Sequence, residues 1–220
     1  MNSEMSAGGK VEMIFDEAKR IGLTSLPFAI AYIALLAGGS TLVDAMAWNT
    51  GGDLLINIAS LILSYMLVKF MIEKSGIAPD GLLNGFGTYF GIALLSGFGT
   101  VLGILLLVIP GLILMIRWSA AYGYGLAGGH GATEALGESW RATEGHWLSV
   151  GMALLVPFTA FVIGLGVYFL SIDEFGVVNV PLSGLGNAMM SLGTVLSTAI
   201  GLAVYSLTAS PVEEMVDVFE

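Results

Sequence analysis

A chain of 220 residues that is 56% hydrophobic and only 11% charged cannot clothe a globule in polar surface, since soluble domains carry about 25% charged residues. A mean hydropathy of +0.88 points instead to lipid as the outer solvent. The net charge of −10 excludes nucleic acid as a partner, and the absence of cysteine excludes disulfides, thiolate metal sites and a cysteine nucleophile.

The first segment, 1–23, is expected to stay on the mature protein, because Glu4, Glu12, Asp16 and Glu17 precede any apolar run and no cleavable leader is recognisable. Within it Val11, Ile14, Phe15, Ala18 and Ile21 recur at helical spacing opposite Glu12, Asp16, Lys19 and Arg20. That pattern predicts an amphipathic helix over 10–22, lying in the membrane interface. Apolar spans are then predicted at 24–47 and 54–73, each near the roughly 20 residues that cross a hydrocarbon core.

Stretch 81–116 carries no charge and stays apolar to about Ala127. It reads as two spans, 84–108 and 111–127, turning at Ile109-Pro110-Gly111, where Pro removes a donor and Gly permits unusual dihedrals. The alternative is one long tilted helix. A second amphipathic stripe follows at 132–146: Ala132, Ala135, Leu136, Trp140 and Thr143, ending at Trp147. Spans 147–170 and 186–209 and an acidic tail, 210–220, complete the chain.

The reading is an all-α polytopic membrane helical bundle, with one transmembrane domain over 24–209. With six spans Lys10, Lys19, Arg20, Lys69, Lys74 and Arg141 share one side, and Asp44, Asp53, Asp173 and Glu174 mark the other. The positive-inside rule then makes both termini cytoplasmic. The order "interfacial helix, then hairpin" occurs at 10–73 and again at 132–209, a hint of duplication.

Few residues invite chemistry. Arg117, inside the expected fourth span, is either a contact for an anionic substrate or lipid phosphate, or a structural Arg holding free carbonyls or snorkelling. Gly87/Gly91, Gly99/Gly103 and Gly193/Ser197/Gly201 make small-residue faces, for packing within the chain or for a homodimer. Gly123-Tyr-Gly125-Leu-Ala-Gly128 matches a dinucleotide fingerprint but follows no strand. His130 and His146, the only histidines, complete no metal set. No cofactor is expected, and no catalytic constellation is visible.

Two linked motifs resemble a known family. Leu105-Leu-Leu-Val-Ile-Pro110-Gly111-Leu112 runs into Arg117-Trp118, and Ala135-Leu136-Gly-Glu-Ser139-Trp140 continues to Gly145-His-Trp147. This resembles the membrane domain of bacterial glycerophosphoryl diester phosphodiesterases and related stand-alone membrane proteins. The resemblance implies a bacterial inner-membrane module. The hydrolase half of such enzymes is a separate barrel of about 250 residues, for which this chain has no room, so phosphodiesterase activity is not expected. By the residues alone, Ala135, Ser139 and Thr143 let a helix sit close to its neighbour, Trp140 and Trp147 anchor at headgroup depth, and Gly145 turns the chain into the next span.

The functional expectation is a non-enzymatic membrane module that engages membrane lipids or a membrane-protein partner. The alternative is a small transporter or channel using Arg117 and the helix pair broken at Pro110-Gly111. A lipid-modifying enzyme comes third.

Overall fold

The structure, a computed structural model, describes residues 5–46, 50–78 and 83–209; the acidic tail lies outside them. The described residues form helices α1 (Ala7–Thr24), α2 (Leu26–Ala45), α3 (Thr50–Ser75), α4 (Phe86–Leu106), α5 (Val108–Arg117), α6 (Ala132–Ala142), α7 (Trp147–Leu170) and α8 (Val180–Thr208). A π-helical turn, Gly123–Ala127, lies between α5 and α6. Five of these helices, α2, α3, α4, α7 and α8, are long and apolar enough to cross a membrane.

Helix α8 is the axis: 50% of its most apolar stretch is buried, against 17–22% for the other four. It begins six residues earlier than its hydropathy suggests, because Asn179 caps it and Pro181 sits in its first turn, where a missing N–H costs nothing. Its closest neighbour is α7. A Cβ on Gly164 would stand 2.8 Å from the Gly186 carbonyl oxygen, and one on Gly186 would stand 2.8 Å from the Gly164 oxygen. Only glycine lets these backbones touch.

Helix α1 runs across one end of this core. Its apolar face buries Ile14, Ala18 and Ile21 against protein. Arg20 donates to the Ser75 carbonyl at the end of α3 at 3.0 Å, Ser206 of α8 donates to Glu17 at 2.8 Å, and Ser149 of α7 donates to the Ala7 carbonyl at 3.3 Å. The stripe expected to meet the membrane interface therefore faces the bundle. The same holds for α6, which buries Ala135, Leu136 and Ser139 and leaves Trp140 exposed.

Between α3 and α6 the chain forms a hairpin whose break differs from expectation. Helix α4 stops at Leu106, extended Leu107 (φ −159°, ψ 132°) makes the corner, and α5 starts at Val108. Pro110 thus falls in the first turn of α5, a position its ring suits. Gly111 serves close approach instead, since a Cβ there would meet the backbone N of Ile104 at 2.7 Å. The single long helix is ruled out by this corner. The expected span 111–127 is equally not one helix: α5 ends at Arg117, and the return is completed by an irregular stretch and the π-turn. Asn84, just before α4, shows where the return leads. Its backbone N–H donates to the Leu126 carbonyl at 3.0 Å, and its side-chain amide donates to the carbonyls of Gly125 at 2.9 Å and His130 at 3.0 Å. The hairpin begins and ends side by side.

Candidate functional site: an arginine junction and a polar cavity

The two linked sequence motifs meet in space. Helix α5 ends at Arg117, so its carbonyl has no partner in the helix. Ser139 of α6 donates to that carbonyl at 2.7 Å and accepts from the Ala120 N–H at 3.2 Å. Thr143 lies beside them, its hydroxyl 3.4 Å from the Arg117 carbonyl. One buried serine thus satisfies backbone groups that the broken helix leaves open.

The guanidinium of Arg117 points the other way. Its Nη1 donates to the Trp140 carbonyl at 3.3 Å, and its central carbon sits 4.9 Å from the centre of the Trp140 ring, a cation–π distance. Among the described residues Arg117 makes no ion pair, and its remaining N–H donors find no acceptor. Trp118 packs under α4, where a Cβ on Gly99 would strike its ring at 2.7 Å. Gly145 adopts φ +76°, the left-handed conformation that lets α6 turn into α7, and Trp147 opens α7 as an exposed residue.

The remaining expected residues settle into packing roles. Gly91, Gly99 and Gly103 lie against Ala132, Trp118 and Gly111, and Gly193 and Gly201 lie against Pro157 and Ser119. Gly87 faces open space, and Ser197 is exposed. The fingerprint-like glycines at 123 and 125 line the π-turn, the first under Tyr205 and the second under Ile92. His130 pairs with Glu134 at 3.3 Å. The Nδ1 of His146 accepts from buried Lys10 at 3.1 Å. Burial first, and the Lys10 ammonium second, hold this imidazole below its ordinary range. No group of three potential metal ligands converges among the described residues.

A second feature escaped the sequence reading. Along α8, Ser183, Asn187, Ser191, Thr194 and Thr198 follow one another at steps of four, four, three and four. This polar stripe lies on a helix that is otherwise apolar, and its helical spacing was available in the sequence. At the end opposite α1 it holds Asp44 of α2: Ser183 donates to one carboxylate oxygen, Asn187 donates to the same oxygen at 3.0 Å, and Tyr168 of α7 donates to the other at 3.3 Å. Further along, the stripe lines a cavity of about 180 Å³ shared with Tyr32 and Ser40 of α2 and Asn57 and Ser60 of α3. Tyr32 closes its floor through a hydrogen bond to Ser64 at 2.9 Å.

These features define a multi-pass integral membrane protein built as a helical bundle, with a cationic junction near one end and a polar cavity between its helices. No protein-family profile matches the chain, and neither a curated protein nor a solved structure does.

Proposed function

We propose that this chain is a non-enzymatic membrane module that engages lipid, holding an anionic headgroup at Arg117. The observation that carries this reading is a guanidinium stacked on an exposed tryptophan, with one N–H bonded to protein and its fork otherwise open. Arg presents paired donors that match a phosphate, and an indole at headgroup depth fixes such a group against the bilayer. A bacterial inner membrane with the α1 end cytoplasmic fits the charges: Lys10, Lys19, Arg20 and Lys74 lie on α1 or at the end of α3 beside it, while Asp44 and Asp173 lie at the other end. The transport reading through Arg117 draws no support from the polar cavity, which is lined by α2, α3, α7 and α8 and does not reach that residue.

Native mass spectrometry of protein extracted from vesicles of mixed phosphatidylglycerol and phosphatidylcholine tests this. Arg117→Gln is expected to lower phosphatidylglycerol retention by about tenfold, the worth of one charge-assisted contact, while Arg141→Gln leaves it unchanged. Equal retention by the Arg117 variant would remove the headgroup role.

A further inference from the structure

The polar cavity contains side chains that the protein itself leaves unsatisfied. Ser191 is 9% exposed and its hydroxyl opens onto the cavity with no hydrogen-bond partner among the described residues; half-buried Ser40 and Ser60 and exposed Asn57 on the facing walls have none either. Asn187 directs its amide N–H groups to Asp44, Thr41 and Ser183, leaving its oxygen as a free acceptor. Other serines and threonines of the bundle, such as Ser96, Thr194 and Thr198, bond back to their own helices. In a bilayer each unpaired polar group costs several kcal/mol. A cluster of them around one space is stable only when something polar fills it.

The lining chooses among fillers. No charged side chain borders the cavity, so neither a phosphate nor a carboxylate finds a counterion there. Asp44, the nearest acid to Asn187, already accepts from Tyr168, Ser183 and Asn187, and it would repel an anion. Beside the apolar Leu36, Ile56, Phe161 and Met190, the lining is a set of hydroxyls and amides, each able to donate and accept, which complements the hydroxyl groups and carbon skeleton of a neutral polyol. At the rim Asn57 and Phe161 are exposed on the side of the bundle. Asn57 is seven residues, about 10 Å, into α3, a depth at which the polar head of a lipid can enter sideways. The volume admits several waters or one small solute.

We propose that this cavity is a binding site for a neutral, hydroxyl-bearing group, supplied either by a free polyol or by the sugar or glycerol headgroup of an uncharged lipid. The site is separate from Arg117 and needs no phosphate.

The chain has no cysteine, so Ser191→Cys places one reporter thiol in the cavity with almost no change in shape. The variant is reconstituted in phosphatidylcholine vesicles and labelled with a small uncharged maleimide. Glycerol or erythritol is added in one arm, and monogalactosyl diacylglycerol is mixed into the bilayer in the other. A saturable slowing of labelling, about tenfold at roughly ten times the dissociation constant, is expected in at least one arm and should disappear when Asn57→Leu is added. Slowing by the free polyols identifies a solute site, and slowing by the galactolipid alone identifies a lipid site. A labelling rate indifferent to both, one slowed as much by sodium chloride, or a thiol that never reacts would overturn the proposal. Should Ser191→Cys fail to yield folded protein, Ser60→Cys on the opposite wall reads out the same space.

Discussion

Helix α8 meets α7 on one side and α3 on another, and the two contacts are built on opposite principles. Against α7 the meeting residues are glycines, and the backbones touch at Gly164 and Gly186. Against α3 small polar residues stand on both walls, Asn57 and Ser60 facing Asn187, Ser191 and Thr194, with Ile56 and Met190 among them, and a cavity of about 180 Å³ lies between. Between helices in lipid the hydrophobic effect contributes little, so packing distance and hydrogen bonding decide association. Glycine removes the side chain and lets dispersion act at full strength. Small polar residues neither close the gap nor satisfy one another across it. The first contact is a seam and the second is a site.

Closing the seam to glycine alone makes it the most fragile part of the molecule. Gly164→Leu places a side chain where even a Cβ lies 2.8 Å from two α8 backbone atoms. Rigid backbone cannot yield, so the loss is expected to reach or exceed the 1–3 kcal/mol or so typical of overpacking. Gly166→Ala, two residues on, faces open space and should be neutral or gain up to about 1 kcal/mol in helix propensity. Thermal unfolding in detergent distinguishes them. Similar loss from both substitutions would show that the seam does not depend on backbone contact.

The next effect falls where the polar stripe is satisfied. Asp44→Leu strands the hydroxyls of buried Ser183 and half-buried Tyr168 and leaves Asn187 only its longer contacts to Thr41 and Ser183, with an expected cost of about 1–3 kcal/mol for the buried serine alone. Where the stripe is unsatisfied the opposite should hold. Ser60→Ala removes a hydroxyl that bonds to nothing in the protein, so stability should change by less than about 0.5 kcal/mol. A large loss from Ser60→Ala with none from Asp44→Leu would reverse the distinction between satisfied and open ends.

Ser139→Ala ranks with the satisfied end. It leaves the Ala120 N–H without its partner and the Arg117 carbonyl with only the 3.4 Å contact to Thr143, for a loss of about 1–3 kcal/mol. Because Arg117 rests on the Trp140 carbonyl one residue away, the substitution should also loosen the guanidinium. Lipid-borne quenchers should then reach the tryptophan fluorescence differently, and an unchanged quenching profile would separate the serine from the arginine.

The helices were readable in the sequence because they rest on periodic features, whereas the seam pair Gly164 and Gly186 is not among the glycines that four-residue spacing marks. Charge-free runs gave α7 at 147–170, its observed bounds, and four-residue glycine spacing marked Gly99, Gly103, Gly193 and Gly201 as contact points. The corner lies at Leu107 and not at Pro110, because proline is tolerated in a helix's first turn as well as breaking a helix's interior, and nothing local marks Leu107 as the residue that turns extended. The inward faces of α1 and α6 were missed for a different reason. An apolar stripe looks the same whether lipid or the ends of other helices cover it, and only long-range contacts such as Ser149 to Ala7 decide. The pairing of Ser139 with Arg117 spans 22 positions, so the motifs could be noticed but not joined. The cavity was legible in part: the stripe on α8 is periodic, but the opposing residues of α2 and α3 are single polar positions within apolar runs.

The smallest expected effect lies where α1 is tied to the start of α7, and it asks whether this junction belongs with the seam or with the site. His146 accepts from Lys10 at 3.1 Å, which requires a neutral imidazole. Burial and then the Lys10 charge lower its pKa from an ordinary 6.5. The unfolded chain therefore takes up a proton first as pH falls, so the native state is unaffected above about pH 6.5 and loses stability as pH drops through that value and below. Lys10→Met removes the second cause and leaves the first, so the pKa of His146 should rise part of the way back and the acid loss should shrink. In a His130→Gln background His146 is the single histidine of the chain, and its ring proton shifts can be followed by NMR across the titration. A depressed pKa that recovers in Lys10→Met would mark a fixed, protein-satisfied contact of the kind found along α7 and α8. A value already at 6.5, unmoved by the substitution, would mean that Lys10 and His146 do not meet in the bilayer, and that α1 is held by Glu17, Arg20 and its apolar face alone.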